Sequence, residues 1–292
     1  MNYGQCQAYL EQILSSGVKF GLDNVRTVLS NFGCPQDAFP SILVAGTNGK
    51  GSVCSMLGRI LMLHGLRVGL YTSPHLVRVE ERITIDGEPI SSRDFCLFLS
   101  RLKRRVEALV RAGKLASPPT YFETLTCLAL LCFRACRADV TVLEVGMGGR
   151  LDATNIVTPL VSVITTVGKD HQEFLGQTLR QIAFEKAGII KPGVPVICGL
   201  NKGEAYRVIK SRAREVGAPF LGVFDDEETF RIQKRQKGFR FFFRWAGQPY
   251  IYSPSLRGEH QGRNAAVAIA AAQEVSRRWH PLEKRKIIQG IE

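Results

Sequence analysis

The segment Gly46-Thr-Asn-Gly-Lys-Gly-Ser52 has the composition of a phosphate cradle. Its glycines leave backbone N–H groups unobstructed, Lys50 supplies a cation, and Ser52 supplies a hydroxyl. It follows a short apolar run, Ser41-Ile-Leu-Val-Ala45, bounded by Pro40 and Gly46. Ser52–His64 then carries apolar residues at Val53, Met56, Leu57, Ile60, Leu61 and Leu63, at helical spacing. The pattern predicts buried strand, turn, helix. In that geometry a helix N-terminus faces the phosphates and the lysine reaches the β/γ oxygens. The spacing is not the standard Walker pattern, because Val44 stands where the first glycine belongs and Gly51 separates Lys50 from Ser52. A nucleoside triphosphate is the expected ligand; a glycine turn that binds nothing is the bland alternative.

Glu144 ends a second apolar run, Asp139-Val-Thr-Val-Leu-Glu144, and precedes Val-Gly-Met-Gly-Gly-Arg-Leu-Asp-Ala-Thr-Asn155. Ligands of open α/β sheets bind beyond the carboxyl ends of the strands, where this glutamate and the phosphate loop both fall. A carboxylate there either holds Mg²⁺, a hard cation that keeps phosphate oxygens and waters, or caps the glycine loop. The neighbouring phosphate loop favours the metal. Asp170-His171 follows another strand, Leu160–Thr165, and by itself reads as structural. Lys186, in Glu185-Lys-Ala-Gly-Ile-Ile-Lys191, reads as a cation at a helix end, favoured by the dipole.

These residues need a scaffold that brings strand ends together, and the chain has one. Short helices are expected over Cys6–Leu14 and Asp23–Asn31, split at Ser15-Ser16-Gly17. Strands follow at 41–45, 67–71, 82–87, 139–144, 160–165, 194–198 and 218–223. Helices are expected at 52–64, 91–112, 121–137, 178–187 and 204–216. This alternation specifies an α/β fold with a doubly wound, mainly parallel sheet. After Asp225, segments 229–232, 238–245 and 249–252 read as an antiparallel meander on the sheet edge. Helices at 260–278 and 281–289 close the chain. Lys237-Gly-Phe-Arg-Phe-Phe-Phe243 superficially matches an RNA-recognition strand, but Arg240, Phe242 and Arg244 occupy the wrong positions. The alternation of Phe239, Phe241, Phe243 and Trp245 is that of a half-buried strand.

Composition narrows the class further. With 292 residues, 45% of them hydrophobic and 22% charged, the chain can bury a core, which excludes wholesale disorder, collagen and coiled coil. The apolar run Leu125–Phe133 is closed by Arg134, well short of the roughly 20 residues of a membrane span. No leader pattern opens the chain, so a cytoplasmic location is expected. The eight cysteines include no Cys-x-x-Cys pair and read as structural thiols. Net charge is +13, spread over helix faces such as Arg101-Leu-Lys-Arg-Arg105, so no nucleic-acid partner is expected.

Taken together these segments resemble the dihydrofolate synthase/folylpolyglutamate synthase family within the Mur ligase superfamily. The narrowing motifs are Thr72-Ser-Pro-His-Leu76 with Glu81-Arg-Ile83, Thr120-Tyr-Phe-Glu123, and Gly148-Gly-Arg-Leu-Asp-Ala-Thr-Asn155. Asp170-His171, Glu185-Lys-Ala-Gly-Ile-Ile-Lys-Pro-Gly193 and His260-Gln-Gly-Arg-Asn264 extend the match. The resemblance implies that Thr47, Asn48, Gly49, Lys50, Gly51 and Ser52 hold ATP phosphates and that Asn264 meets the nucleotide. It implies Ser73 and Glu144 as ligands of a first Mg²⁺, and His171 with an N-carboxylated Lys186 at a second. Thr120, Tyr121, Phe122 and Glu123, with Leu151, Asp152 and Ala153, match contacts to the pterin substrate. Lys50, Glu144, His171 and Lys186 are the expected catalytic set.

The implied activity is ATP-dependent addition of L-glutamate to dihydropteroate or a folate through an acyl phosphate, by a monomer. The alternatives are an ATP-binding module without turnover and a cell-wall Mur-type ligase. The family's C-terminal domain signature, of Asp-x-Ala-His-Asn type, is absent. The expected organisation is therefore an ATP-binding domain over 1–280 and the start of a linker over 281–292. On this reading residues 1–292 bind MgATP but ligate glutamate poorly or not at all, because the amine must be held about 3–3.5 Å from the acyl carbon and the resemblance implies that the surface presenting it belongs largely to the C-terminal domain. Incubation with MgATP, dihydropteroate and labelled glutamate, following ADP and amide separately, checks this. Amide formation at the rate of a complete family enzyme would contradict it.

Overall fold

The computed structural model describes residues 1–14, 17, 21–236 and 238–292. The helix break expected at Ser15-Ser16 and the residue Lys237 lie outside that set. In chain order the elements are α1 (Tyr3–Leu14), α2 (Asp23–Ser30), β1 (Ser41–Ala45), α3 (Lys50–Leu63), β2 (Val68–Tyr71), β3 (Ile83–Ile85) and β4 (Glu88–Pro89). Next come α4 (Ser92–Arg111), α5 (Tyr121–Ala135), β5 (Val140–Glu144), β6 (Val161–Ile164), α6 (Gln172–Leu175), α7 (Leu179–Ala187), β7 (Val196–Cys198), α8 (Glu204–Glu215) and β8 (Phe220–Gly222). The chain continues through β9 (Phe230–Lys234), β10 (Phe239–Trp245), β11 (Gln248–Tyr252), α9 (Glu259–Arg278) and α10 (Lys284–Ile291).

The main sheet runs β4-β3-β2-β5-β1-β6-β7-β8. Pairing is parallel from β2 to β8, and β3 and β4 add an antiparallel edge. The central strands are buried on both faces, as their near-continuous apolar runs require. One face is covered by α1, α2, α4, α5, α7 and α8; the other by α3, α9 and α10. Strand β1 sits between β5 and β6, so the loops after β1, β5 and β6 emerge side by side at the carboxyl edge. That is where a doubly wound sheet opens its ligand crevice. No helix among the described residues is long and apolar enough to cross a membrane.

The fold class expected from the alternation is present, but the meander is placed differently. Strands β9, β10 and β11 form a separate sheet of order β11-β10-β9 rather than extending the main one. The reason is its single apolar face. Phe241, Phe243, Tyr250 and Tyr252 are buried against the Ala-rich helix α9, and the Tyr252 hydroxyl donates to the Gly262 carbonyl at 2.8 Å. Covering that face with a helix leaves nothing for an edge strand to gain. Residues 281–292 carry α10, whose Gly290 lies against the backbone of Ile60 on α3 and whose Ile287 and Ile291 are buried. Each cysteine is a free thiol, and most are buried.

The contact between the two sheets' layers is testable at Gly262, where an added Cβ would fall 2.1 Å from the Phe241 ring. Gly262→Ala is expected to cost about 1–3 kcal/mol through overpacking. It should lower the urea midpoint without changing the slope. A wild-type midpoint would show that Phe241 has room to move.

Candidate active site

The phosphate loop is shaped by the strand beside it. Gly46 follows β1, and a Cβ there would sit 1.9 Å from Thr165 Oγ1. Because residue 46 has no side chain, the Thr165 hydroxyl donates to the Asn48 carbonyl at 2.7 Å. The Thr166 hydroxyl accepts from the Asn48 amide at 2.9 Å, and the Thr47 amide donates to the Thr166 carbonyl at 2.9 Å. Thr47 Oγ1 accepts from Gly168 N at 3.0 Å. Gly49 turns the chain with φ +84° into α3, and the Asn264 amide side chain closes over it: a Cβ on Gly49 would lie 2.4 Å from Asn264 Oδ1. Thus Thr47–Ser52 and Asn264, far apart in sequence, are brought together. Lys50 Nζ donates to the Gly46 carbonyl at 3.0 Å, across the mouth of the loop.

Glu144 ends β5 beside this loop and is 4% exposed. It accepts one hydrogen bond, from Ser73 N at 3.1 Å, and Gly51 approaches its carboxylate. Burial pushes its pKa up, against the opposing pull of Ser73 N, Lys50 and Arg82. A buried carboxylate that can accept several hydrogen bonds but receives one is short of positive partners. With the Ser73 hydroxyl it offers hard oxygen donors of the kind Mg²⁺ takes when phosphate oxygens complete its shell. No group of three or more His, Cys, Asp or Glu side chains among the described residues forms a cage for a metal by itself. The donor set fits a cation shared with phosphates.

A cavity of about 500 Å³ opens from the loop. Lys50, Ser73, His171, Thr120–Glu123 and Leu151–Ala153 all line it. Within it the expected residues divide by task. Thr120 and Glu123 form a reciprocal cap on α5, Thr120 N to Glu123 Oε2 at 2.7 Å and Glu123 N to Thr120 Oγ1 at 3.3 Å. Their polar atoms are occupied in holding the helix start. Tyr121 and Phe122 then supply aromatic wall, with Phe122 laid on Gly146, where a Cβ would fall 2.4 Å from the ring. Asp152, buried, accepts from Met147 N at 2.9 Å and from Thr154 N at 3.0 Å, which pins the glycine loop 146–149.

That loop docks on the end of α7: Arg150 N donates to the Glu185 carbonyl at 2.8 Å, and Arg150 pairs with Glu185 at 2.9 Å. Lys186 is set just behind, in the last turn of α7 as its sequence context suggests, and is 2% exposed. Its ammonium has no ion pair among the described residues. Burial, followed by the charge of Lys50, lowers its pKa to about 8. His171 adopts left-handed backbone, φ +47°, and its half-exposed ring lies 3.6 Å from Asp170.

The matches to known proteins follow this geometry. Residues 44–272 match the Mur ligase middle domain. The dihydrofolate synthase/folylpolyglutamate synthase of Bacillus subtilis is 37% identical over 273 residues, covering 93% of this chain and 63% of that protein. The folylpolyglutamate synthase of Lacticaseibacillus casei is 36% identical over 294 residues, covering 100% of this chain and 68% of that protein. This chain belongs to that family. A solved FPGS–AMPPCP–folate complex superposes with a TM-score of 0.90 at 36% identity, over 100% of this chain and 71% of that one. The chain therefore spans about two thirds of the length of these family members.

The site also contains residues to which the sequence assigned no task. Thr165, Thr166 and Gly168 hold the loop but follow β6, whose adjacency to β1 is a matter of topology. His75 and Arg82 fall within quoted motifs, yet only their meeting in space, Arg82 Nε to His75 Nδ1 at 2.8 Å, marks them out. Burial and the Arg82 charge hold His75 below its ordinary value.

Lys186 yields a test. Its folded pKa, about 8, lies below the ordinary 10.5, so the unfolded chain binds the extra proton between these values and wild-type stability rises over that pH range. Lys186→Met carries no such cost. In bicarbonate-free buffer its urea midpoint should exceed wild type near neutral pH, the gap closing as pH climbs through about 8 to about 10.5. A pH-independent gap would mean that Lys186 is not held uncharged by burial.

Proposed function

We propose that the chain is an ATP-dependent, ADP-forming ligase that joins L-glutamate to dihydropteroate or a folate. The observation that carries this reading is the single cavity in which a phosphate loop, with Lys50, opens directly onto an aromatic wall of Tyr121 and Phe122. That pairing suits a substrate with a flat ring system at one end and a carboxylate to be phosphorylated at the other. A superposed solved structure is an FPGS–AMPPCP–folate complex, which supports a nucleotide and a folate as the ligand classes.

Thr47–Ser52 would grip the ATP phosphates and Asn264 the nucleotide. Lys50 would neutralise charge on the phosphoryl group in flight, the positioning and electrostatic work that dominates phosphoryl transfer. The substrate carboxylate oxygen forms a bond to the γ-phosphorus as the bond to the β-phosphate oxygen breaks, its electron pair leaving on ADP. The glutamate amine then bonds to the acyl carbon, the carbon–oxygen bond to phosphate breaks, and the amine proton passes to water. Without the first step the carboxylate is inert to amines.

Ser73 and Glu144 would hold one Mg²⁺, and His171 with a carbamate on Lys186 a second. These ions supply Lewis-acid neutralisation of phosphate charge when bound. Lys186 suits the modification because a neutral amine adds to CO₂, and burial makes that form accessible near pH 8. The nitrogen bonds to the CO₂ carbon, loses its proton to water, and a cation becomes an anionic oxygen donor.

Lys50→Ala should weaken MgATP binding at least about tenfold, the worth of charge-assisted hydrogen bonds to phosphate, with the fold intact. Isothermal titration reads it, and equal affinities would remove the loop from the reading. ADP release stimulated by dihydropteroate and not by a UDP-muramoyl substrate distinguishes this function from a cell-wall ligase.

A further inference from the structure

Arg82 is the Lys or Arg side chain of the cavity, among the described residues, that the proposed reaction leaves unused. It and Lys50 are the Lys and Arg side chains among the described residues that line the cavity. Its Nε donates to His75 Nδ1 at 2.8 Å, and its guanidinium lies 5.5 Å from the centre of the Tyr121 ring. The Nη groups have no protein acceptor among the described residues, and no carboxylate pairs with them.

Three of the acids around it are committed elsewhere, and the fourth, Glu144, forms no ion pair with it among the described residues. Glu81, the preceding residue, accepts the backbone amides of Leu76, Val77 and Arg78. Glu80 is buried with Arg78, Ser92 and Tyr3. Asp152 holds the glycine loop, and Glu144 accepts from Ser73 N. A planar cation is thus fixed on one edge by a histidine and on one face by a tyrosine, with its remaining donors left toward a cavity that holds a second cation. Such a fork is matched by a carboxylate or a phosphate.

Its place decides between the two. The phosphates belong to the loop and Lys50, whereas Arg82 stacks on Tyr121 in the aromatic wall. Resting on the function proposed above, we infer that Arg82 binds the acceptor carboxylate of the pteroate or folate substrate, with His75 as the positioning residue that orients its guanidinium. One carboxylate oxygen takes the Nη protons, which leaves the other free to face the γ-phosphorus. His75 must present Nδ1 as an acceptor for this, since an arginine Nε–H can only donate. Arg82 is therefore a substrate-binding group of the reaction, and it selects ligands that carry a carboxylate.

The test pairs the protein with two ligands, dihydropteroate and its analogue lacking the carboxyl group, titrated calorimetrically in the presence of MgADP. Wild type should prefer dihydropteroate by about ten- to a hundredfold, the range of a hydrogen-bonded charge pair. In Arg82→Gln the preference should fall to about twofold or less, and Arg82→Lys, which keeps the charge without the fork, should lie between. His75→Leu should lose part of the preference and His75→Asn, whose amide oxygen can accept from Nε, should restore it. Urea midpoints confirm that the variants are folded. Undiminished preference in both Arg82 variants overturns the inference and leaves the function standing. Failure of wild type to bind dihydropteroate overturns the function and the inference with it.

Discussion

The site depends on the absence of a side chain at Gly46, which lets strand β6 close against the phosphate loop. Thr165 Oγ1 occupies the space a Cβ would need, and from there the two threonines that follow β6 take both the amide and the carbonyl of Asn48. The loop's conformation is therefore imposed by its neighbour in the sheet rather than by its own residues. Once it is held, α3 begins at Lys50 with its N-terminus facing the cavity, and Asn264 of α9 fills the hollow over Gly49. The strand order supplies the rest, because β5 lies on the other side of β1 and delivers Glu144 to the same edge.

The buried and half-buried charges can be sorted by how completely the protein satisfies them. Glu80, Glu81 and Asp152 accept several hydrogen bonds each, and serve to shape the loops around the cavity. Glu144 accepts one, Lys186 has no counter-ion, and Arg82 keeps its Nη donors free. Unsatisfied charge in a protein interior is costly and is characteristic of groups completed by a ligand; of the three, Arg82 lines the cavity. The same contrast separates Thr120 and Glu123, which complete each other as a helix cap, from Tyr121 and Phe122, which line the cavity with their rings.

Much of the frame was legible in the residues because it is written in local periodicity. Ser41–Ala45 and Glu144 are a strand and a strand end on any reading of an apolar run, and the glycines of 46–51 announce a turn against a phosphate whatever surrounds them. The Thr-x-x-Glu spacing at 120–123 also carried a readable signal, that of a capping box, although family resemblance drew attention to substrate contact instead.

Tertiary structure alone decided which strands are neighbours and which charges are left over. Nothing local to Thr165 reveals that β6 lies beside β1, since parallel pairing joins residues more than a hundred positions apart. The aromatic alternation of 239–245 reads as a half-buried strand from sequence, but the partner that buries it, α9 and not the main sheet, is chosen by the small residues around Gly262. Lys186 looks like an ordinary cation at a helix end until the glycine loop 146–149 packs over it, and Arg82 looks like one arginine among many until its guanidinium is found without a carboxylate partner among the described residues. Periodicity is a property of a segment, whereas desolvation and the allotment of hydrogen-bond partners are properties of the assembled chain.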